Sequence, residues 1–269
     1  MLSYRTETRH AATPTYWALL AVAYWLTAER LTRNRCTALM IVFSVFLAPH
    51  IAAQDSGAVL PGFNPKVVTV RQLQAPQKAV DAMKRATKAL AEGKMDEAYK
   101  QSCHALDAYP NYSFALAMRG LVNFKASKTA EAAVDFENAI RADPAFGPPY
   151  VMLGALYNSE KRYNDAFLVL TKAVELLPLA WQAHFQIGQA LFGKGDGEAS
   201  LGAITEAIRR MSGREPAADR AAVHFARARL LLQLGNLPEA RSEFEQVVYI
   251  QPDGQYGSDA RQMLDFYRH

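Results

Sequence analysis

The sequence predicts an all-α solenoid of about five helix pairs, preceded by a hydrophobic leader and closed by a C-terminal capping helix. Four columns of residues predict it. Pro110, Pro144 and Pro178 stand 34 residues apart, and Pro252 follows after 74, two periods plus six. Ala105, Ala139, Ala173 and Ala207 keep the same interval, with Val247 a further 40 residues on. Ala98, Ala132, Ala166, Ser200 and Ala240 share it, as do Ala86, Gly120, Gly154, Gly188 and Ala228. Four independent columns with one period and one insertion define a repeat array, in which each unit buries its face only against its neighbours.

Residues 1–53 read as a targeting or anchoring leader. The run Tyr16 to Leu26 is too short, at about 1.5 Å per residue, to cross a ~30 Å hydrocarbon core. Its aromatics Tyr16, Trp17, Tyr24 and Trp25 suit the headgroup region. Arg33 and Arg35 then precede the apolar run Ala38 to Ala48, followed by Pro49 and the small residues Ala52 and Ala53. That order is the order of a secretory signal peptide, with cleavage expected after Ala53. The segment upstream of it, residues 1–30, is either a misassigned translation start or part of a membrane hairpin with Arg30, Arg33 and Arg35 in a cytoplasmic loop. Either way the body is expected outside the cytoplasm, periplasmic or secreted. It is then cleaved near Ala53 or tethered to the inner membrane, touching the membrane only through residues 1–53 if uncut.

Residues 54–78 form a lead-in, punctuated by Gly57, Pro61, Gly62 and Pro65. Its β-branched run Val67 to Val70 favours extended backbone, as a spacer or as an arm laid on the repeats. Repeats are expected over residues 79–254, at about 79–112, 113–146, 147–180, 181–214 and 221–254. In each, a small residue on the first helix lets the second approach, small residues on the second receive the next pair, and the proline ends it. The first pair carries Ala82, Arg85 and Ala89 at inner places, as a terminal repeat with fewer neighbours does. The six extra residues fall between Arg209 and Arg220, where Pro216 suits the opening of a lengthened helix. Over residues 255–269, Ser258 reads as the N-cap of an amphipathic helix through Met263, Leu264 and Tyr267.

A 34-residue helix pair with these small columns and a terminal proline resembles the tetratricopeptide repeat (TPR) family, over roughly residues 79–252. The resemblance implies a right-handed superhelix whose first helices line a concave face that takes extended or helical peptides. Transferred to this chain, the groove positions include Phe114, Ala117, Leu121 and Phe124, then Val151 and Asn158. Phe185, Gln189 and Phe192 follow in the fourth repeat, and Phe225 and Arg229 in the fifth. Such a groove is aromatic and mainly neutral. It lacks the Lys, Asn and Arg clamp that holds chaperone C-termini, because Met83, Thr87 and Leu121 occupy the corresponding places. The competing arrangement has the lead-in or the terminal helix covering these phenylalanines.

Nothing in the sequence points to catalysis. His104, His184 and His224 lack the i, i+4 partner of a helical metal site. Gly193 to Gly197 reads as a turn, without the strand and Gly-Lys-Ser/Thr ending of a phosphate loop. Asn111-Tyr112-Ser113 is a glycosylation sequon, a frequent pattern at a turn. The net charge of +4 belongs mainly to the leader, where Arg5, Arg9, Arg30, Arg33 and Arg35 face Glu7 and Glu29. The remainder holds 25 cations and 24 anions, so nucleic acid is not an expected partner. With Cys36 in the leader, the body has one thiol, Cys103, read as a small buried side chain. No metal or cofactor is expected. The expected function is a non-enzymatic scaffold outside the cytoplasm that binds a protein or peptide, an apolar segment of an envelope protein. The alternative is a structural module that self-associates into an envelope assembly.

Overall fold

The computed structural model describes Thr69 and residues 73–267. The leader, with its apolar runs and cleavage site, lies outside the described residues, as does most of the lead-in. The described residues form eleven helices and no strand. Helices α1 (Gln77–Ala91) and α2 (Met95–Ala108) make the first pair, α3 (Ser113–Lys125) and α4 (Thr129–Ala142) the second. Helices α5 (Pro148–Ser159) and α6 (Tyr163–Leu176) make the third, α7 (Trp181–Gly193) and α8 (Gly197–Arg210) the fourth. The fifth is α9 (Ala217–Gln233) with α10 (Leu237–Ile250), and α11 (Gln255–Phe266) closes the stack.

The two helices of a pair pack on each other, and each second helix packs on the first helix of the next pair. First helices also touch one another, α1 with α3, α3 with α5, α5 with α7 and α9 with α11. Successive second helices make no comparably close contact, which places the first helices on the inner radius of the stack. The series loosens between α7 and α9, where the six extra residues lie. Pro216 stands at the N-cap of α9, whose 17 residues make it the longest helix described.

The repeat columns are the core. Ala86, Ala98, Ala105, Ala132, Ala139, Ala166, Ala173, Ser200, Ala207, Ala228, Ala240 and Val247 are each 0 % exposed. At Gly154 the helices approach so closely that a Cβ would lie 2.4 Å from Leu170 Cγ, and at Gly188 it would lie 2.5 Å from Ile204 Cγ1. The Ser200 hydroxyl donates to the Gly188 carbonyl at 2.8 Å, so the small column also satisfies the buried polar group it brings in.

A fifth column emerges from the backbone. Gly93, Ser127, Lys161, Gly195 and Gly235 all have positive φ, between 59° and 85°, at the turn inside each pair. After each, an amide donates back to a carbonyl in the last turn of the first helix, as Arg162 does to Tyr157 at 2.8 Å. This left-handed turn reverses the chain in a few residues while using carbonyls that the helix end leaves open.

Two expectations are corrected. Helix α11 starts at Gln255 with Gly254 as its N-cap, so Ser258 lies within the first turn. Gly257 permits the early start: a Cβ there would meet the Gln251 carbonyl oxygen at 1.9 Å, so only glycine lets the new helix begin against the end of α10. In the lead-in, the Leu73 amide donates to the Thr69 carbonyl at 3.3 Å, a helical turn where the β-branched run favoured extended backbone.

Candidate functional site

The inner face of the stack is built from α3, α5, α7, α9 and α11. Of the groove positions inferred from the resemblance, Ala117, Leu121, Val151 and Phe225 are buried, at 0 to 8 % exposure. Leu121 joins the core of the first three pairs, while the Phe225 ring packs 5.5 Å from Phe244 and 5.6 Å from Tyr256. Phe114 is half-buried and stacks edge-on against Phe146 at 6.3 Å. Phe124, Phe185, Gln189 and Phe192 are half-buried on α3 and α7. Phe124 leans on the core of the first pairs, and Phe185 and Phe192 on the cluster around Ile204 and Val223.

Asn158 ties two inner helices together. Its Nδ2 donates to the Gln186 carbonyl and to Gln186 Oε1, both at 2.9 Å. Its Oδ1 is buried without a hydrogen-bond partner, an acceptor whose desolvation is uncompensated.

The C-terminal half of this face carries charges that the neutral groove reading omitted. Burial lowers the Arg229 guanidinium from its ordinary value, against an opposing effect of Tyr256. Burial raises the Tyr256 hydroxyl, helped by Asp219 and Asp259. Burial also raises Asp219, with Glu215 adding to the rise and Lys125 opposing it. These groups come from α3, α9 and α11 and the link before α9, so no single sequence window shows them together.

Elsewhere the titratable groups have structural partners. His184 Nε2 lies 3.2 Å from the Pro178 carbonyl, and His224 Nδ1 lies 2.7 Å from Glu243 Oε2. Among the described residues no three His, Cys, Asp or Glu side chains could hold a metal together. Cys103 is half-buried with its thiol beside the Arg119 guanidinium and the Tyr99 hydroxyl, which corrects its reading as a buried apolar side chain. The loop Gly193 to Gly197 is a turn, in which Asp196 caps α8 by accepting from the Ala199 amide at 3.1 Å. Two cavities lie off the inner face. One of about 730 Å³ is lined by Gln74, Tyr109, Asn111, Asn138 and Arg141, and one of about 350 Å³ by Leu232, Leu237, Phe244, Met263 and Leu264.

Helix pairs stacked at a constant period, with small residues at every crossing and first helices inside, define a peptide-binding class of α-solenoid. The repeats are tetratricopeptide repeats: residues 186–255 match the sequence model of that family. Known structures share the fold. A thermophilic TPR protein of Thermus thermophilus, TTC0263, superposes with a TM-score of 0.57 at 19 % identity, over 70 % of this chain and 97 % of that one. MamA from Desulfovibrio magneticus RS-1, residue 41 to the end, gives 0.54 at 18 % identity over 67 % and 99 %. YrrB, described as a TPR protein with an unusual peptide-binding site, gives 0.50 at 22 % identity over 68 % and 92 %. No curated protein sequence matches the chain.

Proposed function

We propose that this chain is a non-enzymatic scaffold outside the cytoplasm that holds an apolar peptide or helix of an envelope protein against its inner face. The observation that carries this reading is the set of half-buried aromatics Phe124, Phe185 and Phe192 on first helices, beside the unpartnered Asn158 Oδ1. Aromatic surface supplies most of the affinity in a peptide groove, and one amide acceptor fixes register. The peptide-binding description of YrrB and the general use of such repeats as interaction modules support it. The order of basic, apolar and small residues from Arg33 to Ala53 supports the compartment.

The test begins with crosslinking in the native envelope to recover the partner. Phe124→Glu with Gln189→Glu is expected to abolish its capture while the helical circular-dichroism spectrum stays unchanged. Undiminished capture overturns the groove. N-terminal sequencing of protein from fractionated cells is expected to begin at Gln54, and the full chain in the soluble cytoplasm overturns the compartment.

The C-terminal end favours a second reading, self-association. Leu237 is 52 % exposed and Phe266 is 45 % exposed around the smaller cavity, an apolar end that a second copy could cover. Light scattering at two concentrations separates the readings, since a persistent monomer excludes self-assembly.

A further inference from the structure

Residues ahead of the first helix pair reach a turn more than two helix pairs away. The Thr69 hydroxyl donates to Asp143 Oδ2, 74 positions along the chain. The Leu73 amide closes a helical turn on the Thr69 carbonyl, and Gln74 then forms one wall of the larger cavity opposite Asn138 and Arg141. Ala75 packs against the core of the first three pairs. The segment 69–75 thus runs from the turn between the second and third pairs, past Tyr109 and Asn111 between the first and second, to the start of α1.

Asp143 is an unusual anchor. It follows the last residue of α4, where the open carbonyls of a helix end disfavour a carboxylate, and it is only 3 % exposed. A carboxylate buried there needs donors. Oδ1 takes the Ala145 amide at 3.2 Å, which shapes the turn, and Oδ2 takes the Thr69 hydroxyl. Removing that hydroxyl leaves a buried acceptor with its desolvation uncompensated.

We propose that residues 69–75 are a strap that fastens the first two helix pairs to the third, with the Asp143 carboxylate as its anchor. In a linear repeat array each unit is held only by its neighbours, and terminal units open first. The first pair is poor in large apolar contacts, since Ala79, Ala82, Ala86, Ala89, Ala98 and Ala105 make up most of its core. A contact that skips a pair makes opening of the first pair depend on the third. It also fixes Gln74 as a wall of the polar cavity, so release of the strap widens that cleft.

Hydrogen exchange of the full chain tests the strap, comparing wild type with Thr69→Val and Asp143→Asn. Thr69→Val is near-isosteric and lies outside the repeats, so it cannot damage the turn itself. Loss of one hydrogen bond to a carboxylate is expected to raise exchange in α1 and α2 about tenfold in both variants, with α9 to α11 unchanged. Trypsin is also expected to cut faster at Arg71, within the strap. Unchanged exchange in α1 and α2 for Thr69→Val, with any effect of Asp143→Asn confined to the turn around it, overturns the proposal.

Discussion

The Arg119 guanidinium grips the Asp135 carboxylate across the second helix pair, Nη2 to Oδ1 at 2.6 Å and Nε to Oδ2 at 3.0 Å. The same two places, 16 residues apart, pair Arg85 Nε with Gln101 Oε1 at 2.8 Å in the first repeat and Arg227 Nη1 with Glu243 Oε1 at 2.7 Å in the fifth. In the third and fourth repeats they hold Leu153 with Val169 and Ile187 with Ala203. One geometric slot is thus filled by polar or by apolar partners, each consistent within its pair.

Asp135 is 3 % exposed and also accepts from Asn123 Nδ2 at 3.1 Å. Asp135→Ala strands both donors and is expected to cost about 2–4 kcal/mol in urea unfolding, toward the lower end because Arg119 keeps some solvent. The double variant Arg119→Leu with Asp135→Val copies the third repeat and is expected to lose less than Asp135→Ala alone. A larger loss would show that the slot in the second repeat does not accept apolar partners.

Gly154→Ala sets helix propensity against packing. Alanine favours the helix by up to about 1 kcal/mol, but its Cβ would lie 2.4 Å from the fully buried Leu170. Overpacking of this kind costs about 1–3 kcal/mol, so the melting temperature is expected to fall.

Lys161→Gly is expected to act in the opposite direction. Lys161 holds φ at 60° in a turn where three of the five repeats have glycine. A non-glycine residue pays roughly 1–2 kcal/mol there, partly offset by the greater freedom of glycine in the unfolded chain. A net gain of about 0.5–1 kcal/mol by chemical denaturation is the expected result.

Asp219 gives a pH dependence with a definite sign. Burial, with the charge of Glu215, raises its pKa in the folded protein. A carboxyl raised on folding costs stability while ionised, and the cost vanishes once the pH is below the ordinary aspartate value of about 3.9, where folded and unfolded states are both protonated. Asp219→Asn is therefore expected to raise the melting temperature at about pH 7 and to lose that advantage toward about pH 3. An advantage that persists at the acid end would assign the effect to packing instead.

The sequence by itself determined the repeat, its period, the six-residue insertion and the identity of the residues at every helix crossing. It could do so because close packing of helices leaves no room at those places, and a steric requirement repeated every 34 residues writes itself into the letters. It half-showed the left-handed turns, since Ser127 and Lys161 break the glycine column while keeping the backbone geometry. The Arg119–Asp135 slot stayed hidden because chemically different pairs satisfy it equally. Only the tertiary structure decided which groove positions are buried, as with Val151 and Phe225, and which remain half-exposed, as with Phe124 and Phe185. That choice depends on curvature, summed over many small inter-pair rotations. The meeting of Lys125, Asp219 and Tyr256, and the reach of Thr69 to Asp143, likewise join residues far apart in the chain. Their proximity follows from the path of the stacked helices through space, a property that no local window of sequence carries.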